Sequence, residues 1–144
     1  MSDSVLHSIH YCSLSSAADA IRDGQLSPVE LTEKLLSRID SVDGQLKSYA
    51  TVMTEQAMEA GRKAEQEIQA GNYKGPLHGI PIAVKDLCFT AGTGTMGGLK
   101  VLRDFVPDYD ATVVHKLREA GAVILGKLNL TEGALSGYHR DFPI

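Results

Sequence analysis

The 144-residue chain has few of the features that mark a membrane, secreted or nucleic-acid-binding protein. No stretch approaches the roughly 20 apolar residues of a transmembrane helix, and no Lys or Arg precedes Arg22, so neither a membrane span nor a signal peptide is predicted. The two cysteines, Cys12 and Cys88, form no paired motif, which is typical of free thiols in the cytoplasm. Fourteen basic residues against 18 acidic ones give a net charge of −4 without a basic cluster, so a nucleic-acid partner is not expected either.

The motifs of most self-contained catalytic and metal sites are absent as well. The chain has no HExxH pattern, no paired-cysteine zinc pattern and no GxSxG elbow. Five histidines are present, none at a ligand spacing from cysteines or carboxylates: His7, His10, His78, His115 and His139. No metal site is therefore predicted, and no nucleophile is evident.

Helical periodicity dominates the first half of the chain. "SPVELTEKLLSRIDSV" starts with Ser27 as N-cap, Pro28 at the first helical position and Glu30 at the capping-box position, and apolar residues then recur at helical spacing. A shorter helix is predicted over 16–22. A third helix, with a thin apolar stripe, is predicted from Thr54 to a glycine cap at residue 71.

The second half predicts one further helix, "DATVVHKLREAG". Asp110 is expected to cap it and Gly121 to end it. Its inward-facing residues are expected to be Val113, Val114 and Leu117.

Three short segments predict strands: "SYATVM", "IPIAV" (expected to be buried) and "AVILG". A helix that leads into an apolar strand favours parallel pairing, so the predicted fold class is α/β, with helices packed on a mixed sheet. Three strands are fewer than the roughly 4–6 of an ordinary sheet. We therefore expect residues 1–144 to be a single region of a larger domain, with a helical lead-in over 1–72 and a strand, glycine-rich loop and helix–strand unit over 73–144.

Lys85 ends the apolar run "IPIAVK". Burial favours the neutral form of a lysine, which can then act as a general base. A structural role is the alternative, with the ammonium at the edge of the core and paired with a carboxylate such as Asp86. From this residue alone the structural role is favoured, because fully buried lysines are rare.

A GxGxxG pattern is formed by Gly92, Gly94 and Gly97. In a dinucleotide-binding fold this loop opens a helix, and an acidic residue follows about 20 positions later at a strand end. Here "VLRDFVP" leaves little room for that helix, and the acidic residue would fall inside the helix that starts near Asp110. A nucleotide-binding module is therefore a less favoured alternative.

Three blocks in this order and at this spacing resemble the amidase signature family of serine hydrolases: "GPLHGIPIAVKD", "TAGTGTMGG" and "DATVVHKLREAGAVILGKLNLTEGA". Members hydrolyse carboxylic amides with a nucleophilic serine, a second serine and a lysine, on an α/β/α sandwich and without a metal or organic cofactor. The resemblance implies that Lys85 is the catalytic lysine, which reverses the preference above. It also implies that Ala134, Leu135 and Ser136 belong to the wall of the acyl pocket.

Two positions depart from the family's pattern. Gly98 stands where the family usually has a serine, and Gly133 where it usually has a phenylalanine. Both are expected near the acyl pocket, so they bear on which amide is preferred. Family members act on aliphatic, aromatic, fatty-acyl and aminoacyl-tRNA substrates, and the sequence does not select among them.

The serine- and glycine-rich segment that carries both family serines has no counterpart before Ile144. The expectation is therefore the N-terminal portion of an amidase domain, which is inactive by itself against a small-molecule amide. The alternative is a non-catalytic truncated or accessory chain that needs a partner. That partner would be another polypeptide that supplies the serines. The other associations expected are the remainder of the amidase domain or a homo-oligomer.

Overall fold

Four helices and three strands alternate along the chain in the computed structural model, which describes residues 9–135 and residue 137. In chain order they are α1 (Leu14–Arg22), α2 (Pro28–Leu46), β1 (Tyr49–Val52), α3 (Thr54–Gln69), β2 (Pro81–Lys85), α4 (Thr112–Glu119) and β3 (Val123–Leu128). Short 3₁₀ turns lie at Ile9–Tyr11, Lys100–Leu102 and Glu132–Ala134. None of these helices is long and apolar enough to cross a membrane.

The start of α2 confirms Ser27 as the N-cap of this helix. The Ser27 hydroxyl accepts hydrogen bonds from the backbone N–H groups of Val29 and Glu30, both at 3.1 Å, and Pro28 occupies the first turn. These bonds satisfy N–H groups that would otherwise have no partner inside the helix. At the end of α3, Gly71 adopts the left-handed conformation, with φ of 84°, as a helix-terminating glycine does.

The sheet is mixed, as predicted, and its strand order is β1-β3-β2. The central strand β3 pairs parallel with β2 and antiparallel with β1. In the β2–β3 register, Val84 lies opposite Lys127 and Lys85 opposite Leu128. The carboxyl ends of β2 and β3 therefore meet at one edge of the sheet.

Side chains of β3 alternate between two apolar clusters, as the period of a strand requires. Val123 and Leu125 are buried in a cluster with Leu36 of α2 and Ala57 of α3. Ile124 points the other way, into a cluster that contains Val114 of α4. Helices thus cover both faces of the sheet, which confirms the predicted α/β class.

Two details of the sequence interpretation are wrong. Asp110 does not cap α4: the N-cap position is Ala111, without a side-chain hydrogen bond. The Asp110 carboxylate instead accepts from Ala91 N at 2.8 Å and lies 3.2 Å from Arg118 Nε, so it joins a loop to α4. Val113 is 51% exposed, since the short helix turns only Val114 fully into the core.

The strand β2 is also less buried than its apolar sequence predicts. Val84 is buried, but the three residues before it are half-buried and Lys85 is exposed. The cause is its position in the sheet, because β2 pairs only with β3 and forms an edge of the described sheet. An edge strand leaves part of its surface uncovered.

Candidate functional site

Lys85 is the last residue of β2 and its side chain is exposed, contrary to the expectation that burial holds it neutral. It also does not pair with Asp86, the partner considered for a structural role. The Asp86 side chain turns away from Lys85 and is only 2% exposed. The carboxyl end of β2 therefore presents a lysine to the surface while the next residue enters the interior.

Asp86 is the centre of a buried polar network, here called the Asp86 network. Its Oδ2 accepts hydrogen bonds from the backbone N–H groups of Met96, at 2.9 Å, and Gly97, at 3.1 Å. Its Oδ1 lies 3.3 Å from Lys127 Nζ. One carboxylate thus ties the end of β2 to the glycine-rich loop and to β3.

Lys127 is the buried lysine, and the sequence analysis missed it. Its side chain is fully buried, and its Nζ donates to Thr95 Oγ1 at 2.7 Å. Burial lowers the pKa of Lys127, and the neighbouring Asp86 carboxylate opposes that shift. The signal was present in "AVILGKL", where this lysine interrupts an apolar strand just as Lys85 ends one.

Lys127 and Thr95 do not form a base and nucleophile, despite the short distance between them. The Thr95 hydroxyl donates its proton to Thr93 O at 3.2 Å, so it accepts from the Lys127 ammonium. A general base needs the opposite direction, with the hydroxyl donating to the lysine nitrogen. Lys127 is accordingly assigned a structural role.

Most of the backbone N–H groups in the glycine-rich loop are hydrogen-bonded within the chain and are not free to bind a phosphate. Five of its backbone N–H groups are bonded inside the chain: Gly92 to Pro107 O, Thr93 to Thr90 O, Thr95 to Phe105 O, and Met96 and Gly97 to the Asp86 carboxylate. A phosphate-binding loop leaves such groups free at the start of a helix. Because a 3₁₀ turn at Lys100–Leu102 follows instead, the structure does not favour the nucleotide-binding alternative.

The two glycines that depart from the family pattern lie in adjoining segments. Gly133 N donates to Gly97 O at 3.0 Å, and a Cβ on Gly98 would stand 2.9 Å from Thr131 O. The loop and the 131–134 turn therefore pack backbone against backbone. A serine at residue 98 would need both a left-handed backbone and room that this contact does not leave.

The proposed pocket-wall residues follow this turn. Ala134 is exposed, with φ of 58°, and Leu135 is 91% exposed. Ser136 lies outside the described residues. Lys85 and the 131–134 turn are linked through the glycine-rich loop, which contacts the residue after Lys85 at one point and Gly133 at another.

A second polar cluster, built around the buried His78 and here called the His78 cluster, lies where β2 and β3 begin. His78 is buried, its Nε2 lies 3.0 Å from Glu67 Oε2, and its Nδ1 accepts from Lys74 N at 3.1 Å. Burial lowers the pKa of His78, and the Lys74 hydrogen bond is the main reason that the pKa of Glu67 is lowered too. The cluster is therefore a neutral imidazole that donates to an ionised carboxylate. Among the described residues, no group of three His, Cys, Asp or Glu side chains is placed to hold a metal ion.

The sequence profile of the family described as Amidase matches residues 30–143. The chain belongs to the amidase signature family. AmiD of Mycobacterium tuberculosis is 55% identical over 130 residues, which are 90% of this chain and 27% of AmiD. A glutamyl-tRNA(Gln) amidotransferase subunit from Geobacter sulfurreducens is 44% identical over 130 residues, again 90% of this chain and 25% of the relative.

Solved amidase structures share the fold. An amidase family protein from Bacillus anthracis superposes with a TM-score of 0.80 at 39% identity, covering 89% of this chain and 26% of that one. The native peptide amidase of Stenotrophomonas maltophilia superposes with a TM-score of 0.79 at 35% identity, covering 83% of this chain and 25% of that one. The chain spans about a quarter of the length of the relatives that it matches.

Proposed function

We propose that this chain is the lysine-bearing part of an enzyme that hydrolyses small carboxylic amides to the acid and ammonia or an amine. The observation that carries the proposal is the placement of Lys85, exposed at the carboxyl end of β2 beside a loop that is fixed by buried bonds. Membership of the amidase family supplies the reaction class.

In the proposed mechanism, Lys85 is the general base. A bridging serine relays to it the proton of a nucleophilic serine, which attacks the amide carbonyl; the relay then returns the proton to the departing amine. A second attack, by water, releases the acid. Both serines and the oxyanion donors would come from residues outside 1–144. Those residues would also cover Lys85 and favour its neutral form, because removal from water penalises the ammonium.

The acyl pocket is proposed to include Ala134, Leu135 and Ser136. Support comes from the contact between the glycine-rich loop and the 131–134 turn, which joins this segment to the Lys85 region. No cofactor is needed for the reaction. The two free cysteines, Cys12 and Cys88, favour a cytoplasmic location.

A second candidate, an accessory chain that works only with a partner polypeptide, is favoured by one observation. Exposed apolar side chains occur in the chain after the edge strand β2, among them Leu87 at 44% and Val106 at 55% exposure. Exposed apolar side chains suit burial against more protein. The intact mass of the natural protein separates the candidates, because a mass well above 15.5 kDa favours one continuous enzyme.

The proposed function is tested by ammonia release from a panel of aliphatic and aromatic primary amides. The full-length natural protein is expected to turn over at least one class. The isolated 1–144 chain is expected to show no appreciable turnover, because loss of the nucleophile or oxyanion donors each lowers the rate by roughly 10²-fold or more. Turnover by the isolated chain that Lys85→Ala abolishes would contradict the incomplete catalytic set, and no turnover by the natural protein would contradict the proposal itself.

A further inference from the structure

The Asp86 network joins three segments that are distant in sequence. It contains the end of β2 through Asp86, the last part of β3 through Lys127, and the glycine-rich loop through Thr95 and the N–H groups of Met96 and Gly97. Asp86, Thr95 and Lys127 are each no more than 2% exposed. The Asp86 network therefore links two strand ends and one loop through buried side chains.

Stability alone is a weak reason to bury such an ion pair. Replacing a buried pair with apolar residues is often neutral or stabilising, since desolvation of the two charges offsets their attraction. An ion pair and its hydrogen bonds do fix the relative positions of the groups that they join, because each donor and acceptor must meet at a set distance and angle. The arrangement is therefore better explained by the geometry that it imposes.

That geometry acts directly on Lys85. Asp86 is the next residue, and its backbone N–H donates to Leu128 O at 2.9 Å, which continues the β2–β3 pairing one residue past the strand. The carbonyl of Lys85 accepts from Cys88 N at 2.9 Å. The backbone of Lys85 is consequently fixed by its pairing with β3 and by the Asp86 network that begins at the next residue. The Lys85 side chain belongs to neither and is exposed.

The Asp86 network also fixes the position of the glycine-rich loop. Thr95 Oγ1 accepts a hydrogen bond from Lys127 Nζ, and the backbone N–H groups of Met96 and Gly97 donate to the Asp86 carboxylate. Gly97 O in turn holds Gly133 N at 3.0 Å. A shift of Lys127 would therefore be transmitted both to Lys85 and to the turn that precedes Leu135.

We propose that Lys127 is a positioning residue for the amidase reaction: through Asp86 and Thr95 it fixes Lys85 and the glycine-rich loop relative to each other. This inference rests on the proposed function. Lys127 itself takes no proton from substrate or nucleophile, because its hydrogen bond runs towards Thr95.

The test uses Thr95→Val in the full-length natural protein, which removes the acceptor of the Lys127 hydrogen bond and keeps the side-chain shape. We expect kcat for amide hydrolysis to fall roughly 10- to 100-fold with KM changed by less than about 3-fold, since a misplaced catalytic group slows chemistry more than binding. Thr95→Ser keeps the hydroxyl and is expected to restore most of kcat. Lys127→Met, assayed only if it is folded by circular dichroism, is expected to lose at least as much.

The chain offers a matched control in Thr32, a fully buried threonine of α2 whose hydroxyl donates to Pro28 O at 2.7 Å. Thr32→Val also loses one buried hydroxyl, but away from the network, and is expected to keep the wild-type kcat. Amide hydrogen exchange gives a second readout: Thr95→Val should speed exchange at Met96 and Gly97, and Thr32→Val should not.

Wild-type kcat and unchanged exchange in Thr95→Val would overturn the positioning inference and leave the proposed function intact. Equal losses of kcat in Thr95→Val and Thr32→Val would overturn it too, because the effect would then be one of general stability. A wild-type protein that hydrolyses no amide would overturn the proposed function and the inference together.

Discussion

The two ends of the β2–β3 pair each carry a polar group of three side chains built around a buried residue, His78 at one end and Lys127 at the other. Only one end carries a candidate for chemistry. At the amino end, the His78 cluster joins α3 to the loop before β2. At the carboxyl end, the Asp86 network joins two strands to the glycine-rich loop. The carboxyl end alone also presents an exposed lysine, Lys85, directly beside the Asp86 network.

This difference shows which buried titratable groups to regard as structural. His78 and Lys127 both have pKa values lowered by burial, yet all their polar atoms are matched to partners within the described chain. Lys85, in contrast to His78 and Lys127, has a side chain that lies outside both polar groups. Lys85, the proposed catalytic lysine, therefore differs from these two residues in having a fixed backbone and an exposed side chain.

The largest predicted difference in stability is between the two lysines. Lys127→Met leaves the Asp86 carboxylate buried without its cation, and should lower the free energy of unfolding by about 3–5 kcal/mol. Lys85→Met removes a side chain that lies outside the Asp86 network, and should change it by less than about 1 kcal/mol because no buried carboxylate loses its cation. Urea unfolding of the full-length protein measures both changes in the free energy of unfolding. Similar changes for the two variants would contradict the predicted difference between the lysines.

The amino end is predicted to be sensitive at Gly121, which has φ of 80° and whose Cβ would overlap His78 Cδ2. Gly24, with φ of 68° and no atom within 4 Å of a Cβ, is the matched control. Gly24→Ala should cost about 1–2 kcal/mol from backbone strain alone. Gly121→Ala should cost at least about 1 kcal/mol more, because His78 must also move. Equal costs, measured by urea unfolding, would mean that His78 is not held in place.

The smallest predicted effect is on pH dependence. Because the pKa of His78 is lowered in the fold, the unfolded chain binds a proton first as the pH falls below about 6.5. Stability should then decrease by at most about 1.4 kcal/mol per pH unit from this group, until the folded pKa is reached. The lowered pKa of Glu67 adds a further loss below about pH 4.5, as this carboxylate becomes protonated.

The test of this dependence compares urea midpoints at pH 7.5 and 5.5 in the wild type and in His78→Gln. The decrease should be smaller in the variant, which has no imidazole to protonate. An equal decrease in both proteins would assign the effect to other groups.

Local signals made the fold predictable from sequence. The start of α2 could be predicted from Ser27, Pro28 and Glu30, because its capping contacts lie within one turn. The three strands could be predicted from their apolar runs. Asp110 shows where local reasoning ends. It stands where a cap is expected, but its carboxylate is used by Ala91, 19 residues away, and by Arg118.

The site was predictable only in part, for the same reason. The sequence marked Lys85, and the family resemblance gave it a role, but its exposure depends on β2 being an edge strand. The Asp86 network was not predicted at all. Its other members are 9 to 41 residues from Asp86 along the chain, and only the parallel pairing of β2 with β3 brings Lys127 opposite Val84.

The central claim is that Lys85 is the base of an amide hydrolase, and one measurement tests it most directly. It is kcat/KM for ammonia release by Lys85→Ala in the full-length protein, with Lys116→Ala, an exposed lysine on α4, as control. The account predicts a loss of roughly 10²- to 10⁴-fold for Lys85→Ala, the usual contribution of a general base, at unchanged stability. A Lys85→Ala enzyme as active as the Lys116→Ala control would contradict it.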